Sequence, residues 1–308
     1  MKTVFIDGSA GTTGLRIRER LEGRKDISLL LLPEEKRKDP AARKEALNSC
    51  DAAFLCLPDA AAMEAVAMVE NPNVTILDTS TAHRTNPRFV YGFPELSAEQ
   101  EEKIRKSSRI AVPGCHASGF IALVAPLIKT GILPASTPLT CISLTGYSGG
   151  GKKMIAEYED ENRSSLLKAP RQYGLTQSHK HLKEMVALTG LETPPLFTPI
   201  VADFYSGMEV TVPLLRSDLK GDVNTLKELY KSVYHTPLVQ YKEAADEEGF
   251  LSAGALSGLD RMEISVHGNE DRILLVARYD NLGKGASGAA IECMNLRFGL
   301  NAAEGLEI

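Results

Sequence analysis

Four short apolar runs punctuate the first third of the chain: Thr3–Ile6, Ile27–Leu32, Ala52–Leu57 and Val74–Asp78. They are continuous rather than alternating, the pattern of strands buried on both faces of a parallel sheet. Between them, Leu15–Leu21 and the Ala- and Met-rich Ala60–Val69 carry helical spacing. Strands joined by helices in this way predict a doubly covered α/β domain. After about residue 115 the pattern changes. Thr140–Thr145, Phe197–Val201, Met208–Pro213, Met262–Val266 and Ile273–Tyr279 read as strands of a mixed or antiparallel sheet. Met262-Glu-Ile-Ser-Val-His267 alternates, which predicts a sheet with one wetter face. Val223–Tyr234 reads as an amphipathic helix, and Gly285–Phe298 as a small-residue helix entered through a glycine turn. Lys152–Tyr173 is the most charged stretch; a mobile flap and a solvated helix fit it equally. There is no internal repeat.

Length and composition narrow the class. The chain has 308 residues, 43% hydrophobic and 24% charged, enough for two domains with a substantial core. A net charge of -5 offers no basic footprint for nucleic acid, so none is expected as a partner. The longest apolar run, Phe120–Ile128, is broken by Pro126 and is too short to span a bilayer, so no membrane insertion is expected. Met1-Lys2 leads straight into the first strand, and no secretory leader is expected. Five cysteines without framework spacing predict reduced thiols and a cytoplasmic location.

The first strand runs into Gly8-Ser9-Ala10-Gly11-Thr12-Thr13-Gly14. Glycines at this spacing, between a strand and a helix, let the backbone approach a pyrophosphate that sits on free N–H groups at the helix start. Alone the spacing is weak; its strand–turn–helix context makes it a dinucleotide site. After the second strand Glu34 and Glu35 are followed at once by Lys36, Arg37 and Lys38. Cations here suit a ribose 2′-phosphate and point to NADP(H) as cofactor, against the plain reading of a solvated charged loop.

The segment Pro113-Gly114-Cys115-His116-Ala117-Ser118-Gly119 places a thiol at the start of the helix through Phe120–Ile128. The positive end of a helix dipole and its unsatisfied N–H groups favour thiolate, and the same N–H groups can hold an oxyanion. Cys50, Cys56, Cys141 and Cys293 read as small buried hydrophobes. A zinc site from Cys115, His116, His179 and His181 matches no common ligand spacing, and no metal is expected. His235 and His267 read as ordinary histidines, and His83 and His116 as local hydrogen-bonding groups.

This segment resembles the active-site signature of the N-acetyl-gamma-glutamyl-phosphate reductases, in the shorter of their two forms, with His116 for the family's aromatic residue and Ser118 for its Thr. Further landmarks follow in order over nearly the whole chain. Phe54-Leu-Cys-Leu-Pro58, Asp78-Thr-Ser80 with Arg84, Tyr91-Gly-Phe-Pro-Glu95, Ser148-Gly-Gly-Gly-Lys152 and Gly283-Lys284-Gly-Ala-Ser-Gly288 through Asn295 are each similar to a family segment. Tyr173 through His179-Lys180-His181-Leu-Lys183-Glu184 resembles its Tyr…His-Arg-His-x-Pro-Glu stretch, with Lys180 for Arg and Lys183 for Pro.

The resemblance implies a Rossmann-type parallel-sheet domain from residues 1–114 and 284–308, and an α+β catalytic and oligomerisation domain over 115–283 like that of glyceraldehyde-3-phosphate dehydrogenase. It implies that Cys115 attacks an acyl phosphate, that NADPH reduces the resulting thioester, and that His179, ahead of His181, moves the proton. Ser148, Tyr173 and Glu184 are implied to support the site, and Ser80 to meet the cofactor. Asn295 is assigned to the nicotinamide carboxamide, and Arg84, Lys152 and Lys284 to substrate phosphate or carboxylate, each set against a plain surface charge. The implied partner is a small anionic acyl phosphate, and the implied assembly a homodimer or homotetramer. The nearest rival is aspartate-semialdehyde dehydrogenase, whose cysteine usually follows Asn rather than Pro-Gly. A reductase acting on a carrier-bound aminoadipyl phosphate would want a basic docking surface. A catalytically inactive NADP-sensing protein is the alternative from another class, against which Cys115 and His179 both speak.

Overall fold

The computed structural model describes residues 1–308. They divide into one compact unit of residues 1–94, 98–113 and 286–306, and a second of 95–97, 114–285 and 307–308.

In chain order the first unit contains β1 (Lys2–Asp7), α1 (Thr12–Leu21), β2 (Ile27–Leu30), α2 (Pro40–Ser49), β3 (Ala52–Leu55), α3 (Asp59–Met68), β4 (Thr75–Asp78), β5 (Val90–Tyr91), α4 (Ala98–Lys106) and β6 (Arg109–Ala111). The strands form one sheet, ordered β2-β1-β3-β4-β6-β5, with every pair parallel. Alternate residues of one strand feed opposite cores. Val4, Ile6, Phe54 and Leu77 pack on one face, and Phe5, Ala53, Leu55 and Ile76 on the other. That is why the sequence runs are continuous. Two helices that the apolar pattern did not predict, α2 and α4, expose most of their charged residues. α2 is nonetheless well started, with Pro40 in its first turn and Asp39 accepting the Ala42 N–H at 2.8 Å.

The second unit continues with α5 (Cys115–Lys129), β7 (Thr140–Gly146), α6 (Gly151–Glu159), β8 (Arg171–Gln172), α7 (Leu182–Thr189), β9 (Leu196–Ala202), β10 (Met208–Leu215), α8 (Val223–Val233), β11 (Val239–Tyr241), β12 (Met262–Gly268) and β13 (Arg272–Tyr279). Its sheet is ordered β11-β12-β13-β10-β7-β9-β8 and mixed, with β7/β9 and β11/β12 parallel and the rest antiparallel. A π-helical turn at Gly283–Ser287 then leads into α9 (Gly288–Arg297), whose Ile291 and Met294 complete a core of the first unit.

The charged stretch 152–173 holds α6, fixed by the stack of Tyr147 on Tyr158 at 4.8 Å and by Arg163, which grips Asp203 through two bonds of 2.7 and 2.8 Å. The alternation in β12 does not mark a wet face. Glu263 and Ser265 are buried, because Arg278 beside them reaches Glu247 at 2.6 Å and the Ala245 carbonyl, drawing residues 245–252 over the strand. The same sheet face is open further along, where Ile142, Leu196 and Leu274 are 38%, 65% and 42% exposed.

α5 needs outside help to stay helical. Pro126 lacks an N–H, so the Ala122 carbonyl one turn back has no helical donor. The buried Tyr234 hydroxyl donates to that carbonyl at 2.7 Å, and Tyr230 donates to the Leu123 carbonyl next to it. Tyr234→Phe leaves a buried acceptor without a partner and is expected to cost about 1–3 kcal/mol. The check is the urea midpoint, which should fall while the slope stays unchanged.

Candidate active site

The glycine turn after β1 is as tight as its spacing requires. Gly8 has φ +88°, and a Cβ there would lie 2.2 Å from the Cys56 carbonyl oxygen; a Cβ on Gly14 would lie 2.5 Å from that of Gly8. Ser9, Ala10 and Gly11 span the turn, closed by the Gly11 N–H on the Gly8 carbonyl at 2.9 Å, and Thr12 and Thr13 open α1 with first-turn N–H groups that have no helical acceptor. Gly8, Ser9 and Ala10 line a cavity of about 330 Å³ together with Arg37, Lys38 and Arg43. Glu34 and Glu35, which obscured the sequence reading, are not among its lining residues. Arg43 is buried and spends Nε and Nη2 on Asp7 Oδ2 at 3.1 and 2.9 Å. Burial nevertheless pushes the Asp7 carboxyl above its usual range. The cavity thus keeps a cationic excess from Arg37 and Lys38. The Asp7–Arg43 pair was not legible in the sequence.

Ser80 lies at the end of β4 with its hydroxyl committed to Asp78 Oδ2 at 2.8 Å, while His83 Nδ1 sits 2.6 Å from the same oxygen. Arg84 clasps the carbonyls of Val112 and Thr79, each at 2.9 Å. Asn295 does not face the cavity. It is fully buried, its Oδ1 accepts from Arg24 at 2.9 Å, and its amide donates to the carbonyls of Ala302 and Glu304. The carboxamide assignment is therefore corrected: the side chain anchors the C-terminal turn.

In the second unit, Cys115 opens α5 behind an extended Gly114 (φ -77°, ψ 143°). Glu184, buried on α7, accepts the Gly114 N–H at 3.1 Å and so fixes the turn in front of the thiol. On the other side Tyr279 inserts its hydroxyl into the first helical turn. It donates to the Cys115 carbonyl and accepts the Gly119 N–H at 3.0 Å, where an ordinary helix would join those two groups directly. A Cβ on residue 119 would meet that hydroxyl at 2.7 Å, which explains the glycine four residues after the cysteine. Gly285 also packs tightly here, since its Cβ would lie 3.2 Å from that of Cys115. Three other thiols are poor nucleophiles, since burial pushes Cys50 up to about 11, Cys56 up to about 12 and Cys141 higher still, and the fourth, Cys293, is fully buried.

His116, His179 and His181 gather beside the helix start with ring centroids 4.7 to 5.8 Å apart, and Phe197 packs on two of them. No group of three or more His, Cys, Asp or Glu side chains has the arrangement to hold a metal ion. The His181 backbone N–H donates to His179 Nδ1 at 3.2 Å, so the neutral His179 ring carries its proton on Nε2. His181 is buried, with Nε2 at 4.0 Å from Glu184. Tyr173 closes the group; burial and the nearby Cys115 hold its phenol well above the usual range. Burial drives His116 down to about 3, so it is neutral. Its unfolded counterpart takes a proton near the ordinary value of 6.5. Between those values the unfolded chain binds the extra proton, and stability falls as pH falls. Wild type is expected to lose up to about 1.4 kcal/mol per pH unit more than His116→Asn on acidification through that window. Urea midpoints for both chains at pH 7, 6 and 5 test this.

Ser148 is buried and accepts from Asn281 Nδ2 at 3.0 Å, a structural role. Lys152 stands exposed at the start of α6. Lys284 is not available to a substrate anion: it is 2% exposed and pairs with the equally buried Glu95 at 2.7 Å. That assignment too is corrected. The sequence reading missed Tyr279 and Ser143; the glycine at 119 was the one local sign that a bulky group sits against the helix.

Two family models match. Residues 115–281 fit the semialdehyde dehydrogenase dimerisation domain, and residues 32–104 the semialdehyde dehydrogenase NAD binding domain. Fold and sequence thus define a semialdehyde dehydrogenase. Among solved structures, aspartate semialdehyde dehydrogenase II from Vibrio cholerae, complexed with ASA, superposes with a TM-score of 0.73 at 16% identity, covering 97% of this chain and 98% of that one. The Candida albicans aspartate semialdehyde dehydrogenase with NADP gives 0.64 at 13% identity, over 96% and 98%. These share the fold. In sequence, N-acetyl-gamma-glutamyl-phosphate reductase 2 of Pseudomonas putida is 44% identical over 98% of both chains, and the N-acetyl-gamma-glutamyl-phosphate reductase of Rhizobium meliloti is 46% identical over 95% and 97%. The chain belongs to the N-acetyl-gamma-glutamyl-phosphate reductases of the semialdehyde dehydrogenase family.

Proposed function

We propose that the chain reduces N-acetyl-gamma-glutamyl phosphate to N-acetylglutamate 5-semialdehyde with NADPH, through a thioester on Cys115. The observation that carries this reading is Cys115 itself, the one thiol placed at a helix start and braced by Glu184 and Tyr279. The thiolate attacks the acyl carbon, the C–O bond to phosphate breaks, and inorganic phosphate leaves with that electron pair. The nicotinamide supplies hydride to the thioester carbonyl when bound. The resulting thiohemiacetal oxyanion takes a hydrogen bond from His179 Nε2–H and the α5 N–H groups. Its collapse returns the thiolate, which a thiol can do because it leaves as readily as it attacks.

The glycine turn fits a dinucleotide, since a Cβ at Gly8 or Gly14 would strike backbone and keep the turn from closing beside the cavity that Gly8 lines. Arg37 and Lys38 in the cavity support NADP over NAD. The exposed apolar sheet face at Ile142, Leu196 and Leu274 supports assembly with a second copy. Five free cysteines suit a cytoplasmic protein. Arg84 and Lys152 remain the candidates for substrate anions, and we assign the acid–base work to His179 before His181.

The test is phosphate-dependent reduction of NADP by N-acetylglutamate semialdehyde, beside aspartate semialdehyde and beside NAD. Turnover of the acetylated substrate alone is expected. Preference for aspartate semialdehyde would move the chain to the sister activity. Arg37→Ala with Lys38→Ala should raise KM for NADP at least about tenfold, since two charge-assisted contacts are lost, and leave KM for NAD within about twofold. Equal effects on both cofactors would overturn the 2′-phosphate assignment.

A further inference from the structure

Ser143, His116 and Tyr173 form a chain of hydrogen bonds that runs through the residue next to the nucleophile. The Ser143 hydroxyl lies 2.6 Å from His116 Nδ1, and the Tyr173 hydroxyl 2.6 Å from His116 Nε2. We propose that this chain has one direction, Ser143 to His116 to Tyr173, and that it frees the Tyr173 O–H to donate to the negative charge at Cys115: the thiolate first, then the oxyanion of the bound substrate. His116 is then a positioning residue, and Tyr173 a catalytic one. The inference rests on the Cys115 thioester reading.

The direction follows from counting donors and acceptors. Ser143 lies on β7, fully buried, and its hydroxyl has no partner but His116. A buried hydroxyl proton without an acceptor is costly, so Ser143 must donate to Nδ1. Burial opposes a positive charge on His116, so the ring carries a single proton. With Nδ1 accepting, that proton sits on Nε2 and is donated to the Tyr173 oxygen. The phenol proton is consequently not spent on His116. Cys115 is close enough to act electrostatically on the phenol, and burial keeps the phenol protonated. Tyr173 therefore works as a neutral donor that never loses its proton. Other groups that bear on the thiol, namely His179, His181, Glu184 and Tyr279, are left in place by the variants below.

The experiment joins turnover to thiol titration, using the full chain. Tyr173→Phe is expected to lower kcat about a hundredfold, as loss of one oxyanion donor does, with KM within about twofold. It should also raise the midpoint of the pH profile for iodoacetamide alkylation of Cys115 by roughly one unit, because the thiolate loses a donor. His116→Phe should produce part of both effects in the wild-type background and none in the Tyr173→Phe background. His116→Gln, whose amide N–H can still face Tyr173, should restore both readouts toward wild type. An unshifted midpoint in Tyr173→Phe, or equal effects of His116→Phe in the two backgrounds, overturns the proposal. Should His116→Phe fail to fold, Tyr173→Phe and His116→Gln decide it by themselves. Cys115→Ser tests the parent reading separately: persisting turnover there would remove the thioester, whereas the alkylation profiles need no turnover at all.

Discussion

Cys115→Ala is expected to lose at least about four orders of magnitude in kcat while still binding the nicotinamide cofactor with unchanged affinity, since removing a covalent nucleophile leaves only positioning and electrostatic stabilisation. No other thiol can take over. Cys50, Cys56 and Cys141 are held above the ordinary range by burial, and none lies at the α5 start. Cys115→Ser should be nearly as inactive, because a hydroxyl is a poorer attacker and a poorer leaving group than a thiol. Cofactor affinity by fluorescence titration, set against single-turnover rates, separates the two effects. A Cys115→Ala chain retaining a hundredth of wild-type turnover would rule out the covalent route.

Lys284→Met should be among the most destabilising single changes in the chain. It would strand the Glu95 carboxylate, which is 4% exposed, opposite a methyl group. Breaking one half of a buried pair typically costs about 3–5 kcal/mol, whereas replacing both halves with apolar residues of similar volume is often close to neutral. The double variant Glu95→Leu with Lys284→Met should therefore regain most of the lost stability. Chemical denaturation of the four chains of this cycle gives the coupling directly. Additive losses would show that Lys284 is held by something other than Glu95.

What the sequence made legible, and what it did not, divides by distance along the chain. β1, β3, β4 and the glycine turn announce themselves through local periodicity, because each strand meets both cores within a few residues. Helix α2 escaped notice because only Arg43, Ala46 and Leu47 of its ten residues are buried. Short strands such as β5 and β8, of two residues each, have no period to read. In the site, the cysteine and the paired histidines are visible as local patterns. Among their supports, Glu184, 70 residues from Gly114, was implied only by the family resemblance, and Ser143, 27 residues from His116, gave no sign at all. The two misassigned residues fail for the same reason. Lys284 and Glu95 are 189 positions apart, and Asn295 and Arg24 are 271 apart. A lysine or asparagine in a glycine-rich, site-like segment looks available until its distant partner is known.

The wedge formed by Tyr279 has a consequence for the order in which the protein matures. The first turn of α5 takes its final shape only when a hydroxyl made 160 residues later reaches Gly119. At roughly 5–20 residues per second of synthesis, a nascent chain spends about 10–30 s with Cys115 already exposed to solvent but its helix start still unwedged. The reactive thiol is thus one of the last features to mature, although it is encoded in the first half of the gene. Alkylation of Cys115 can accordingly serve as a clock for completed folding of the second unit.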